Sequence, residues 1–95
     1  MKKFVINEHI NWDAIGAKED DDVILTNNEN GSIMIINQTA FYILEKIIQN
    51  FSMDEIIKQA SSEYGIDIAH IKSDIFEIID LFILNNIIIE SQNDI

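Results

Sequence analysis

A junction at Asn37 divides the chain into a strand-like part and a helical part. Four of the five residues before it, 32–36, are apolar, and three of these are β-branched isoleucines, which favours an extended strand. After it, apolar residues recur at the helical spacing i, i+3, i+4, i+7 and i+8; they are Ala40, Ile43, Leu44, Ile47 and Ile48. Asn37 suits the boundary because its side-chain oxygen can accept hydrogen bonds from the free N–H groups of a first helical turn. The sequence therefore predicts strands before Asn37 and helices after it.

The part before the junction predicts a small antiparallel sheet. Short extended stretches are predicted over residues 3–7 and 10–17, and a buried strand over residues 23–26. Asn30-Gly31 supplies the positive φ angles of a hairpin loop that returns as the strand 32–36. The acidic run 19–22 is predicted to be a solvated turn, since it lacks the alternating ligands, the glycine and the final glutamate of a calcium loop.

The returning strand is apolar on both faces, whereas a half-buried antiparallel strand alternates apolar with polar residues. Two explanations stay open. Either both faces are buried within a small mixed fold, or another molecule docks on this strand.

The part after the junction predicts three helices joined by short turns. Ser52-Met53-Asp54-Glu55 is a capping box at the start of the second helix, whose inward side is expected to include Met53, Ile56, Ile57, Ala60 and Tyr64. Gly65 is expected to end this helix in the left-handed conformation. Asp67 is expected to cap a third helix that ends near Leu84, before a short final strand or buried tail over residues 87–89. The fold class is therefore predicted to be α+β, a winged helix-turn-helix-like domain in which a hairpin precedes three compact helices.

The third helix has an unusually wide apolar side. On a helical wheel the apolar arc covers roughly half the circumference, wider than the ~100° stripe that a surface helix needs. It comprises Ile68, Ile71, Ile75, Ile78, Ile79 and Phe82, with Phe76 and Ile83 beside them. Packing against one neighbour would leave part of this arc exposed.

Composition excludes several classes of function. The 95 residues carry a net charge of −11, with six lysines and no arginine. We therefore expect no binding to nucleic acid or to an anionic membrane, because their phosphate groups would repel the chain. The charge is equally consistent with a role in solubility alone. No apolar run approaches the roughly 18 residues of a membrane span. The absence of cysteine, together with an N-terminus unlike a signal peptide, favours a cytoplasmic protein.

Catalytic chemistry is not expected from this sequence. His9 and His70 are the only histidines, His70 falls on the polar side of its helix, and no glycine-rich phosphate loop is present. We therefore expect no enzyme activity, no cofactor and no metal site. The whole chain, 1–95, is expected to form one domain, with a core over about 10–89 and a frayed tail over 90–95.

In the order and spacing of these segments the chain resembles the PqqD-like proteins, which are the stand-alone peptide-binding domains called RiPP recognition elements. The resemblance covers roughly residues 10–89 and lies in the junction at residues 36–40 and in the segments 53–57, 63–67, 73–81 and 85–88. Ile36 stands where the family usually has leucine, and Asn86 where glycine is common. Phe41-Tyr42 replaces the family's usual small-then-aromatic order.

The resemblance implies a winged helix-turn-helix-like fold with a three-stranded antiparallel sheet followed by three helices. It also implies that the protein is a non-catalytic adaptor. Such proteins bind the leader segment of a ribosomally made precursor peptide as an added strand, and they present it to a modifying enzyme such as a radical SAM protein, a leader peptidase or a cyclodehydratase. The implied peptide-binding residues are Ser32, Ile33, Met34, Ile35, Ile36, Ile71, Asp74, Ile75, Ile78 and Ile79. Asp74 is either a partner for a basic leader residue or a solvated helix acid. A structural homodimer that uses the same strand and helix face is the alternative.

Overall fold

The computed structural model describes residues 4–14 and 22–90 of the chain. In chain order the elements are β1 (Phe4–Ile6), β2 (Ile10–Ala14), β3 (Val23–Asn27), β4 (Ile33–Ile36), α1 (Gln38–Ile48), α2 (Met53–Tyr64), α3 (Ile68–Leu84) and β5 (Ile88–Glu90). The predicted α+β class, with a three-stranded antiparallel sheet followed by three helices, is confirmed. Four predicted features lie wholly or partly outside the described residues: the start of the first strand, the end of the second, most of the acidic turn, and the tail.

The three-stranded sheet has the order β2-β3-β4, which leaves β4 at one edge. Leu25 in the central strand lies between Trp12 of β2 and Met34 of β4. The predicted hairpin loop between β3 and β4 is confirmed. Of the Asn30-Gly31 pair, Gly31 has the expected positive φ angle, 77°, and Asn30 does not. The buried Asn27 side chain holds this loop by accepting a hydrogen bond from the Glu29 N–H at 2.8 Å.

A second, two-stranded sheet joins the two ends of the described chain. β1 pairs antiparallel with β5, and Val5 lies opposite Ile89. The Asn7 side-chain amide donates to the Asn86 carbonyl at 2.8 Å, which fixes the turn between α3 and β5. Asn86 has a φ of 58°, and asparagine tolerates this left-handed conformation better than most residues other than glycine. Of the short strand or buried tail predicted over residues 87–89, the strand is confirmed; it covers Ile88–Glu90, and its partner is β1.

Local side-chain caps set most of the helix boundaries. The Asn37 side chain accepts from the Ala40 N–H at 2.8 Å, Ser52 and Glu55 form the predicted capping box, and Gly65 ends α2 with a φ of 65°. The predicted side-chain cap at Asp67 is wrong. Asp67 occupies the N-cap position just before α3, but its side chain forms no capping hydrogen bond; its carboxylate lies 3.6 Å from His70 Nδ1.

The core lies where the three helices meet the inner face of the sheet. Its most deeply buried side chains come from every layer of the fold: Leu25, Ile43, Leu44, Ile56, Ile75, Phe82 and Ile88. The inward prediction is wrong for Tyr64, which is 40% exposed and makes an edge-to-face contact with Tyr42. Among the helices of the described residues, none is long and apolar enough to cross a membrane.

Candidate functional site

The edge strand β4 presents main-chain groups that no strand of the described chain uses. The Asn27 N–H donates to the Ser32 carbonyl at 2.9 Å, which sets the phase of the antiparallel ladder. Bonded and non-bonded pairs alternate along such a ladder, so Met34 and Ile36 bond to β3. The N–H and C=O groups of Ile33 and Ile35 therefore point away from β3, in the orientation that an added strand requires.

A cavity of about 250 Å³ lies beside this edge. Its walls are β4, the first turn of α1 and the C-terminal half of α3, through Met34, Ile35, Ile36, Asn37, Thr39, Ala40, Ile78, Leu81 and Phe82. Asn37 shapes the cavity because its cap turns the chain sharply from β4 into α1. The small side chain of Ala40 leaves room at the wall that this turn creates. We call β4 and this cavity together the β4 groove.

The predicted strand residues occupy the β4 groove in two ways. Met34 is half-buried and Ile36 is buried, and both line the cavity. Ile35 also borders the cavity, but its side chain, like that of Ile33, projects to the opposite face of the sheet. On that face Ile33 is 67% exposed and Ile35 is 59% exposed. Ser32 lies just before the strand and is exposed. One apolar face of β4 therefore forms a wall of the cavity, and the other apolar face is an open surface.

The predicted helix residues separate into groove and core. Ile78 is half-buried and lines the cavity. Asp74 is exposed one helical turn before Ile78, which places it on the same side of α3. Ile71, Ile75 and Ile79 are only 4%, 1% and 2% exposed, so they hold α3 against the core and support the groove from behind.

Sequence reasoning missed several groove residues. Asn37, Thr39, Ala40, Leu81 and Phe82 line the cavity but were not in the predicted binding set. Leu81 follows Ile78 by three residues, so helical spacing could have included it. Thr39 and Ala40 gave no such signal, because their place in the wall depends on how α1 approaches α3.

The rim of the groove on α3 is acidic. Asp74 and Glu77 are exposed one turn before Ile78 and Leu81, respectively. Lys72, by contrast, lies on the other side of the helix, where its ammonium group is 5.9 Å from the Phe76 ring centroid. This end of the groove therefore favours a positively charged ligand group over a negatively charged one.

None of the described residues that line the cavity is titratable. Within residues 4–14 and 22–90, no group of three or more histidine, cysteine, aspartate or glutamate side chains could hold a metal ion. Burial, together with the nearby Glu63 and Tyr64, raises the pKa of Tyr42 above its usual value. Tyr42 lies beside Lys46 and Tyr64 and is not part of the cavity wall. What the groove itself offers is an unpaired strand edge, an apolar cavity and an acidic rim.

Comparison with known proteins agrees with this description. One family model, described as coenzyme PQQ synthesis protein D (PqqD), matches residues 22–88. No curated protein matches the sequence significantly.

Two solved structures resemble the fold. The first is a lasso peptide synthetase B1 complexed with the leader peptide, with a TM-score of 0.78, 17% identity, and coverage of 92% of this chain and 98% of that chain. The second is TbiB1 in complex with the TbiA(beta) leader peptide, with a TM-score of 0.74, 12% identity, and coverage of 96% and 98%. At these identities the likeness is one of fold. The family model, in contrast, matches the amino-acid sequence, and the matched residues make up more than half of the 95. The chain therefore belongs to the PqqD family.

Proposed function

We propose that this protein is a non-catalytic adaptor that binds the leader segment of a ribosomally made precursor peptide in the β4 groove. The observation that carries the proposal is the open β4 edge beside an apolar cavity. A peptide that adds as a strand would bond through its main chain to Ile33 and Ile35. Both similar solved structures are complexes with leader peptides, which supports the same class of ligand here.

Within this proposal the groove residues have different roles. The outward main-chain groups of β4 hold the peptide backbone, and the cavity between Met34, Ile78 and Leu81 accepts an apolar side chain. Asp74 attracts a basic residue of the leader. Ile71, Ile75 and Ile79 fix the position of α3, so their contribution to binding passes through the helix that they anchor.

The adaptor then presents the bound precursor to a separate modifying enzyme. A radical SAM protein, a leader peptidase or a cyclodehydratase would each supply the chemistry that modifies the bound precursor. The proposal places the adaptor in the cytoplasm, where precursor peptides are made.

A homodimer through the same edge is less favoured on physical grounds. Each chain carries a net charge of −11, so two copies repel one another. The paired strand would also be only the four residues of β4. A peptide of opposite or neutral charge meets no such repulsion.

An NMR titration tests the proposal directly. The leader segment of a short precursor encoded next to this protein's gene is added to the isotopically labelled chain, with a scrambled peptide of the same composition as control. We expect amide shifts concentrated in β4, in the first turn of α1 and along the groove side of α3, and none from the scrambled peptide. Absence of shifts, together with β4 amides already protected in a concentration-dependent dimer, would assign the edge to self-association.

A further inference from the structure

The outer face of the three-stranded sheet carries an apolar strip, of which Ile35 alone also borders the cavity. Ile33 and Ile35 project from this face and are the two most exposed aliphatic side chains of the sheet. Their cross-strand neighbours on β3 are Thr26 and Ile24, respectively. Because β4 is the edge, each of these isoleucines has a neighbour on one side only. We call Ile24, Ile33 and Ile35 the outer strip.

Any peptide that pairs with β4 must contact both faces of the sheet. Successive side chains of a strand point to opposite faces, so half of the peptide's side chains enter the cavity. The other half lie beside Ile33 and Ile35, at the roughly 5 Å separation of cross-strand neighbours. The outer strip is thus continuous with the proposed peptide site. A peptide that places every second side chain in the cavity also places the side chains between them beside the outer strip.

The chemistry of the outer strip favours an apolar neighbour. On this face the charged side chain in the same cross-strand row as Ile35 is Asp13, which lies two strands away on β2 beyond Ile24. A polar residue beside Ile33 or Ile35 would leave their apolar surface in water, whereas an aliphatic or aromatic residue would remove that surface from water.

We propose that the outer strip is a second recognition surface for the bound peptide. This inference rests on the proposed function and specifies which peptide sequences the β4 groove binds best. The recognised segment carries aliphatic or aromatic residues at consecutive positions, some directed into the cavity and the others onto Ile33 and Ile35. A leader that alternates strictly between apolar and polar residues is a poorer ligand.

A second copy of the chain is a weaker candidate for covering the strip. Two copies that paired edge to edge would share only the four residues of β4 on each side. The charge of −11 on each copy opposes close approach. A neutral or basic apolar peptide meets no such repulsion.

Selection from a library of random displayed peptides tests the inference without knowledge of the natural leader. The wild-type chain is compared with an Ile33→Thr/Ile35→Thr double variant, because threonine retains the β-branched shape that suits a strand. The matched control is Val5→Thr/Ile89→Thr, which makes the same kind of change at the exposed cross-strand pair of β1 and β5. Thermal unfolding of all three chains verifies that they are folded.

We expect the wild type and the control to enrich peptides with apolar residues at consecutive positions. The double variant should lose the apolar preference at every second position and keep it at the positions between. It should bind the peptides selected by the wild type about tenfold more weakly, as expected for two lost apolar cross-strand pairs.

Other results would overturn the inference in distinguishable ways. Wild-type enrichment of alternating peptides, or an unchanged profile for the double variant, would reject the second surface while leaving the proposed function intact. Enrichment of no strand-forming peptide by any chain would reject the proposed function and this inference with it. A wild-type dimer that the double variant abolishes, and that selected peptides do not dissociate, would assign the strip to a second copy.

Discussion

The two edge strands of the three-stranded sheet differ in the side chains that they direct to its outer face. β2 carries Asn11 and Asp13 on this face, whereas β4 carries Ile33 and Ile35, and all four are exposed. Charged and polar residues on an edge strand discourage pairing with another chain. The edge formed by β4 lacks this protection, and the edge formed by β2 has it.

The backbones of the two edges are nevertheless alike. The Asn28 N–H donates to the His9 carbonyl at 2.8 Å, which places Asn11 and Asp13 in the bonded pairs of the β2–β3 ladder. The main-chain groups of Trp12 and Ala14 therefore point away from β3, as those of Ile33 and Ile35 do on the other side. Side-chain chemistry and the adjacent cavity, rather than hydrogen-bonding capacity, distinguish the edge that we expect to bind a peptide.

Of the changes proposed, proline in β4 should weaken peptide binding the most. Ile35→Pro, or equally Ile33→Pro, removes an outward N–H while sparing the ladder to β3. Leaving a peptide carbonyl unpaired should weaken peptide binding by about 100-fold or more. Fluorescence anisotropy with a labelled peptide measures the loss.

The matched control is Ala14→Pro, which removes an outward N–H from the opposite edge. Its peptide affinity should equal that of the wild type. Unchanged affinity in a folded Ile35→Pro variant would contradict the assignment of β4 as the peptide-binding edge, and equal losses in both variants would mean that the two edges are equivalent.

Truncation of the cavity wall should have the next largest effect. Leu81 and Ile83 are on the same helix and are similarly exposed, at 50% and 43%, but Leu81 lines the cavity and Ile83 does not. Leu81→Ala removes apolar contact with the side chain in the cavity and should weaken peptide binding by about tenfold. Ile83→Ala should leave affinity unchanged, and calorimetric titration of both variants distinguishes a cavity effect from a general effect on α3.

The features that the sequence predicted well are determined by neighbouring residues. Asn37, the Ser52–Glu55 capping box and Gly65 each act within one turn of the chain, and all three are confirmed. The hairpin between β3 and β4 is local in the same sense. Asp67 is the exception, because its carboxylate lies near His70 instead of capping α3.

The features that the sequence could not provide depend on distant residues. The pairing of β1 with β5 joins residues from the two ends of the chain, and no local pattern specifies such a partner. The sequence showed the wide apolar arc of α3, but it did not show which residues of the arc face the core and which face the cavity. Ile75 turned out to face the core and Ile78 the cavity, because the division depends on where β4 and α1 meet the helix.

Salt should reduce affinity for a basic peptide more modestly than truncation of the cavity wall. Raising the ionic strength from about 0.01 M to about 1 M shortens the Debye length from about 30 Å to about 3 Å. Screening of the acidic α3 rim and of the net charge of −11 should then weaken binding by about fivefold, mainly through slower association. An uncharged peptide of the same apolar pattern is the control. Equal salt dependence for the two peptides would contradict an electrostatic contribution.

Neutralising one rim carboxylate should have the smallest effect and should locate the electrostatic contribution. Asp74 and Asp80 are both exposed on α3, but Asp74 lies one turn before Ile78 on the groove side, whereas Asp80 borders a separate cavity beside Phe4 and Phe76. Asp74→Asn should weaken binding of a basic peptide about threefold at low salt, since an exposed ion pair contributes at most about 1 kcal/mol. Asp80→Asn changes the net charge by the same amount and should have no comparable effect. If both variants weaken binding equally, the attraction comes from the overall charge of the chain; if only Asp74→Asn does, and high salt removes the difference, a basic residue of the peptide lies at the acidic end of the β4 groove.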